Sequence, residues 1–324
     1  MSRTSFWQKF RELLSFENIS LFRVTLIFLL MIFIAAVLSN GVFLQLENLL
    51  NIVKQNTILI IVSLGQLLVI IIAGIDLSVG SVLALSSVNF VIFQDFGLVP
   101  AICLSLLISL AIGFINGLLV TYGRLPAFVV TLASSLVVTS VAMVVSKGGT
   151  IKHSLSGIKL DDKISEFFKG SIFGVPYPVI IFIFILLIIE FFLRTRIGHF
   201  TYAVGGNEKA AIISGIPVNK VKIIIFMVAS TLAGIGGVIF VLRVGLGNPQ
   251  TGGNIPLDSI AAVSIGGASL AGGIGTVPGT IIGVFTLSTL SNILNILNVS
   301  PSLQYTFKGI VILMAVYLNS FKKE

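Results

Sequence analysis

Long, mainly apolar runs alternate with short polar stretches along this chain. A membrane-spanning helix needs about 20 mostly apolar residues, and most of these runs reach that length. The exceptions are a very long charge-free run near the end, which has room for two spans and a connection, and a short final run. The runs occupy residues 24–46, 57–75, 77–94, 96–123, 125–146, 176–193, 223–242, 259–307 and 309–321.

This pattern predicts an all-α, polytopic membrane protein with about ten transmembrane helices. Residues 309–321 form the tenth span only if the Lys308 ammonium extends outward to the headgroups. A count of eight or nine, with a re-entrant segment near residues 259–273, stays open. A β-barrel is disfavoured, because barrel strands alternate over about 10 residues whereas these runs are continuous.

Ten spans divide into two five-helix halves, residues 24–146 and 176–321, around a polar loop at 147–175. An odd number of spans per half inverts one half relative to the other, an arrangement typical of transporters. Each half also contains an apolar region interrupted by glycine, which is the best sequence pointer to a transport path. The interruptions contain Gly74, Asp76, Ser78 and Gly80 in the first half, and Gly266, Gly267, Gly272, Gly273, Gly275 and Gly279 in the second.

Composition strengthens the membrane interpretation. Charged residues make up 10% of the chain, against about 25% in ordinary globular domains, while apolar residues make up 56%. The net charge of +8 does not indicate nucleic acid, because the basic residues lie at helix ends and in loops. By the positive-inside rule, the tails at 1–23 and 322–324 and the loop at 194–222 are expected in the cytoplasm, with loop 147–175 outside.

Enzymatic and metal chemistry find no support in the sequence. The glycines near residues 266–283 are not followed by the Lys-Ser or Lys-Thr of a nucleotide P-loop, so close helix packing or a hinge explains them better. His153 and His199 lack partners at metal-ligand spacing, and Cys103 is the only cysteine. We therefore predict no catalytic residue, no metal and no cofactor.

Asp76 is the most informative single residue, because it is one carboxylate among nearly 40 apolar residues. It either contacts the transported solute or, with Ser78, caps the helix that follows. Asn116 is a polar interruption near the end of the fourth span and is assigned to the same path. Arg124 and Pro126 are interpreted as an ordinary helix end and helix start.

The polar stretch at 198–218 has the signals of a short folded helix. Asn207 is a candidate N-cap, Glu208 suits the positive end of a helix, and Gly215 and Pro217 stop it. Such a helix with exposed alanines is interpreted as a docking element, with a plain amphipathic connector as the alternative.

Four motifs together resemble the permease subunits of bacterial ribose-, xylose- and galactoside-type ABC importers. They are Gly-Ile-Asp-Leu-Ser-Val-Gly-Ser at 74–81, Ala-Val-Gly-Gly-Asn-Glu-Lys-Ala-Ala at 203–211, Asp-Ser-Ile-Ala-Ala-Val-Ser-Ile-Gly-Gly at 258–267 and Gly-Gly-Ile-Gly-Thr-Val-Pro-Gly-Thr at 272–280. Ala73 departs from the family, which often has a second glycine there.

The resemblance implies a complex in the bacterial cytoplasmic membrane. Its other members would be a second permease copy, identical or related, a cytoplasmic ATPase commonly with tandem nucleotide domains, and an extracytoplasmic sugar-binding protein. The segment at 207–215 is then the helix that couples the permease to the ATPase. The residues assigned to coupling are Gly205, Asn207, Glu208, Ala210, Ala211, Ser214 and Gly215.

The implied function is translocation of a neutral monosaccharide, with ATP hydrolysed by another protein. Nucleosides, branched-chain amino acids and a furanose-like signalling molecule remain alternative cargoes. An ion-coupled carrier is disfavoured because such carriers keep several intramembrane carboxylates. The polar side chains of the spans are uncharged and suit a polyol: Gln66, Ser86, Ser87, Asn89, Asn116, Thr131, Ser134, Ser135, Asn292 and Asn295.

Overall fold

The computed structural model describes residues 16–152, 170–172 and 175–320. Within these ranges the regular secondary structure is helical apart from two two-residue strands, β1 (Ser171–Ile172) and β2 (Val175–Pro176), which pair antiparallel. The helices are α1 (Phe16–Leu38), α2 (Leu46–Ile71), α3 (Val79–Ile92), α4 (Leu98–Thr121), α5 (Ala127–Val145), α6 (Tyr177–Arg194), α7 (Arg196–Gly206), α8 (Glu208–Ile213), α9 (Val218–Val244), α10 (Ile255–Ile265), α11 (Val277–Ile296) and α12 (Pro301–Ser320).

Eight helices in the described part of the chain are long and apolar enough to cross a membrane. They are α1 to α6, α9 and α11, with α3 extended by a 3-10 turn at Phe93–Phe96. The prediction of an all-α polytopic membrane protein is confirmed. Helix α12 adds 20 residues, whereas α10 has only 11 and is too short to span alone.

Helices α2 and α9 form the centre of the bundle and run antiparallel. A Cβ at Gly65 would lie 3.0 Å from the Ala229 Cα, and at the other end the Arg243 Nη1 donates to the Gln55 carbonyl oxygen at 3.2 Å. Small residues allow this close approach in lipid, where packing rather than hydrophobic burial holds helices together. The outer helices α1, α4 and α5 keep many apolar side chains exposed, as lipid contact requires.

Part of the helix packing is repeated in the two halves of the chain. Helix α3 packs on α4, α5 and α9, and α10 packs on α11, α12 and α2. In the same way, α4 packs on α9 in the first half and α11 packs on α2 in the second. Matching α1–α5 with α6, α9, α10, α11 and α12 reproduces each of these contacts. This partial repeat agrees with two five-helix halves, and their inverted arrangement stays a prediction.

A segment of bends and turns at residues 245–254 packs against α3 before α10 begins. The Asn248 N–H donates to the Ser87 Oγ at 3.1 Å, and farther along the segment Gly252 touches the Gly80 carbonyl oxygen. The segment therefore descends along α3, and α10 begins beside the first turn of α3. Residues 245–265 are therefore a turn-rich segment followed by an 11-residue helix, and the re-entrant segment considered near 259–273 stays an open alternative.

In the second half, the segment that corresponds to residues 72–78 is not the glycine-rich interruption that the sequence suggested. Residues 72–78 precede the short helix α3, and in the second half the segment before the short helix α10 is 245–254. The predicted second interruption, from Gly266 to Gly279, is instead the connection between α10 and α11 and the start of α11. Hydropathy missed residues 245–254 because a glycine-rich polar stretch after a span has the pattern of a surface loop.

One helix boundary also differs from the sequence prediction. Helix α1 begins at Phe16, within the predicted tail 1–23, while residues 1–15, 153–169, 173–174 and 321–324 lie outside the described residues. His153, most of loop 147–175 and the tail 322–324 are among them. The Lys308 Nζ lies 3.2 Å from the Asp258 Oδ2, a partner that hydropathy does not show.

Candidate translocation and coupling site

The first break, residues 72–78, is held by a buried glutamine. With its amide oriented to match donors and acceptors, the Gln66 side chain donates to the Asp76 carbonyl at 3.1 Å and accepts from the Asp76 N–H at 3.3 Å. Both backbone groups of Asp76 are thereby satisfied, although they are outside any helix. Gln66 was assigned to a polar path for sugar, and the structure uses it as a backbone clamp.

The Asp76 carboxylate is fully buried and lies at the start of α3. Its Oδ1 accepts from the Ser78 N–H at 2.8 Å and from the Ser78 Oγ at 2.6 Å, while the Asn116 Nδ2 donates to that same Oγ at 3.0 Å. The sequence-predicted Asp76, Ser78 and Asn116 are thus one hydrogen-bonded chain. The Oδ2 has no partner within the described ranges.

Thr131 on α5 supplies the second support of this break. Its Oγ1 accepts from the Leu77 N–H at 3.0 Å, and its single proton lies between the carbonyl oxygens of Ile75 at 3.1 Å and Ala127 at 2.9 Å. The signal that could have identified Thr131 and Gln66 is the presence of an uncharged hydrogen-bonding side chain in an otherwise apolar run. Such groups satisfy broken backbone at membrane depth.

The end of α2 meets the α10–α11 connection. The Gly273 N–H donates to the Ile71 carbonyl at 2.8 Å, and Gly272 and Gly273 have φ of +89° and +75°. Glycine is required there because this left-handed backbone is costly for other residues. The first glycine-rich interruption and part of the second therefore lie side by side.

The remaining glycines of the second interruption serve close packing. A Cβ at Gly266 would overlap the Gly279 carbonyl oxygen, and one at Gly275 would lie 2.7 Å from the Leu67 Cδ1. Gly267 adopts a φ of +91° just after α10 ends. The Thr276 Oγ1 accepts from the Gly279 N–H at 3.1 Å and caps α11.

The loop between α6 and α9 folds locally as predicted. The Asn207 Oδ1 accepts from the Ala210 N–H at 3.0 Å, which caps α8, and Gly215 follows that helix with φ +77°. Glu208 in the first turn pairs with Lys222 of α9, with 2.7 Å between Oε1 and Nζ. A short capped helix, tied back to the bundle, therefore protrudes from the α6–α9 loop.

The exposed surface of α8 differs from the predicted one. Ala211 is only 3% exposed, because it faces the bundle, so the expectation of exposed alanines holds for Ala210 and not for Ala211. Ser214 and Gly215 are exposed. Ile212 and Ile213, which were not predicted, are 58% and 87% exposed. The helix thus presents two aliphatic side chains away from the bundle.

Two cavities flank the first break. One, of about 380 Å³, lies beside Gly74 and Ala73 and is lined by Arg124, Glu208 and Lys222. The other, of about 250 Å³, lies where α3 meets residues 245–254 before α10. Its polar lining is uncharged and consists of Ser81, Ser135, Thr139 and Gln250. The break therefore lies between an open cavity with charged lining residues and a second open cavity, called the neutral chamber here, whose lining is mainly apolar with uncharged polar groups.

Residues 48–316 match the family described as "Branched-chain amino acid transport system / permease component". The chain belongs to this permease family. It is 39% identical to the ribose import permease protein RbsC of Escherichia coli (strain K12), over 91% of this chain and 92% of that protein. RbsC of Bacillus subtilis (strain 168) is 41% identical over 91% of each chain.

Other relatives in the permease family are named for different sugars. The xylose transport system permease protein XylH of Haemophilus influenzae is 31% identical over 89% of this chain and 93% of its own. The D-allose transport system permease protein AlsC of Escherichia coli is 34% identical over 87% and 86%. No solved structure gives a significant match. The permease family and its multi-pass membrane fold agree with the resemblance in the sequence.

Proposed function

We propose that this permease is the membrane-spanning subunit of an ATP-driven importer for a neutral monosaccharide. The observation that carries the proposal is near full-length similarity to permeases named for ribose, xylose and allose. That similarity includes the first break and the α7–α8 loop. In this arrangement residues 24–321 form one permease domain in the bacterial cytoplasmic membrane.

The chamber beside the first break suits an uncharged, hydroxyl-rich solute. Its described lining offers hydroxyl and amide groups from Ser81, Ser135, Thr139 and Gln250 and no charged side chain. A charged or zwitterionic cargo would need ionic partners there to offset its loss of hydration. This favours a sugar over an amino acid, although the family's description names amino acids.

The proposed partners of the permease follow from the side of the membrane that each loop is proposed to face. Both termini and loop 194–222 face the cytoplasm, where α8 docks an ATPase with tandem nucleotide domains. Loop 147–175 faces the outside, where an extracytoplasmic binding protein delivers the sugar. A second permease copy, identical or related, completes the channel. The energy source must lie outside this chain, since its glycine-rich segments pack helices and its sequence contains no P-loop.

Reconstitution tests this function directly. We expect proteoliposomes with the permease, its ATPase and its binding protein to import D-ribose, D-xylose or D-allose only when ATP is present. Import driven by a proton or sodium gradient without the ATPase would favour a secondary carrier instead. Failure of all three sugars, with import of an amino acid, would move the cargo to the alternative class.

Ile213 is expected to dominate docking of the ATPase. Ile213→Asp should weaken co-purification of the ATPase by about ten-fold or more, because an exposed aliphatic anchor is replaced by a charge. Asn219→Asp is the matched control, since it adds the same charge at an exposed position nearby, in the first turn of α9. Equal loss in both variants would count against a hydrophobic anchor at α8.

A further inference from the structure

The last turns of α7 lie against both the end of α2 and the α10–α11 connection. A Cβ at Gly205 would overlap the Ile71 carbonyl oxygen and lie 2.7 Å from the Gly273 nitrogen. One turn earlier, the Tyr202 Oη donates to the Gly275 carbonyl at 2.7 Å. A single helix end is therefore fitted to the meeting point of two segments from different halves.

This meeting point is backbone packed on backbone. A Cβ at Gly272 would lie 2.7 Å from the Gly205 carbonyl oxygen and 2.8 Å from the Ala73 Cβ. Ile71 itself accepts from the Gly273 N–H. Flexible side chains could absorb a small displacement, whereas closely packed backbones pass it on, since packed interiors have low compressibility.

The same contact is one residue from the protruding helix α8. Helix α7 ends at Gly206, and Asn207 caps α8 immediately afterwards, so no flexible linker separates them. On the other side, Ile71 is the last residue of α2 before the break that contains Asp76. Gly275 is two residues before α11 begins. A movement of α8 therefore has a short, continuous route to both halves.

We propose that Tyr202 and Gly205 are positioning residues that transmit movement of α8 to both halves of the permease. The inference rests on the proposed function, in which an ATPase moves α8. Through Gly205 the movement reaches the end of α2 and hence the first break. Through Tyr202 and the Gly272–Gly275 turn it reaches the start of α11. One contact would thereby open or close the path in both halves together.

The test uses the assembled complex with single substitutions. Gly205→Ala inserts a methyl group against the Ile71 carbonyl, and Gly206→Ala is its control because a Cβ there meets nothing within 4 Å. Tyr202→Phe removes only the hydroxyl group that bonds Gly275, and Tyr122→Phe is its control at an exposed tyrosine. Tyr202→Phe also covers the case in which Gly205→Ala fails to fold.

Two readouts distinguish a loss of transmitted movement from a loss of stability and from a wrong choice of cargo. The first is the number of D-ribose molecules imported per ATP hydrolysed, measured with ATPase co-purification. The second needs no sugar: it is the ATP-dependent change in maleimide labelling of a cysteine at Ser81, in a Cys103→Ser background. Ser81 lines the neutral chamber, so its labelling reports the state of the path.

We expect Gly205→Ala to lower the import per ATP by about ten-fold and to abolish the nucleotide-dependent labelling change, with co-purification unchanged. Tyr202→Phe should act in the same direction, more weakly. Wild-type ratios and labelling in both variants would overturn the inference, as would a parallel loss of import, hydrolysis and co-purification. If the wild type imports no sugar but its labelling still responds to ATP, the proposed cargo fails and the transmission contact is still judged by labelling.

Discussion

Lys308→Ala is expected to lower the free energy of unfolding by about 3 kcal/mol, because it leaves Asp258 charged and unpaired inside the helix bundle. The pair joins the first turn of α10 to the middle of α12, and its side chains are only 21% and 22% exposed. Asp258 also lies near the positive end of the α10 dipole, and its carboxylate keeps this favourable interaction when Lys308 is removed. That favourable position offsets only part of the loss.

Thermal unfolding of the purified protein in detergent micelles checks this expectation. The double variant Asp258→Asn/Lys308→Gln removes both charges and should recover most of the stability lost in Lys308→Ala. The control pair is Glu190–Arg194, where Arg194 is 76% exposed, so Glu190→Ala should cost about 0.5 kcal/mol or less. If the single and double variants unfolded at the same temperature, the unpaired charge would not be the cause.

The pair has a structural purpose that follows from the length of α10. A helix of 11 residues is too short to be fixed by spanning the membrane. The Asn254 Nδ2 donates to the Tyr305 hydroxyl at 3.1 Å, next to the ion pair and also between the start of α10 and α12. Helix α12 thus anchors the half-helix from its outer side.

Asp76→Ala is expected to lower solute import by more than about ten-fold while reducing folded yield by less. The substitution leaves the Ser78 N–H and hydroxyl without their acceptor and removes the last link of the Asn116–Ser78–Asp76 chain. Each buried donor left unsatisfied costs about 1–3 kcal/mol. The Gln66 clamp and Thr131 still hold the backbone, so the fold survives better than the path.

Asp76→Asn is the matched variant for this prediction, because its amide oxygen still accepts both hydrogen bonds. We expect it to retain most of the import, measured in proteoliposomes at equal protein content. Equal loss of import and folded yield in Asp76→Ala would reduce Asp76 to a folding residue. Loss of import in Asp76→Asn equal to that in Asp76→Ala would instead assign the function to the negative charge.

Several parts of the site were accessible from local sequence because their causes are local. A cap such as Asn207 acts on the next turn, and Gly215 ends α8 through its own backbone conformation. The neighbours of a side chain are not local. Nothing near residue 205 in the chain shows that it packs against Ile71, and nothing near Lys308 shows Asp258.

Hydrophobicity along the chain was enough to establish a multi-pass helical membrane protein and most of its spans, because lipid accepts only long apolar segments whose backbone is satisfied within the helix. The positions of glycine and asparagine in the sequence also indicated the first break and helix α8. Three-dimensional packing alone revealed that residues 245–254 pack against α3, that Gln66 and Thr131 clamp a backbone, and that α7 joins both halves. These features depend on contacts between residues distant in the chain, which no periodicity in the sequence records.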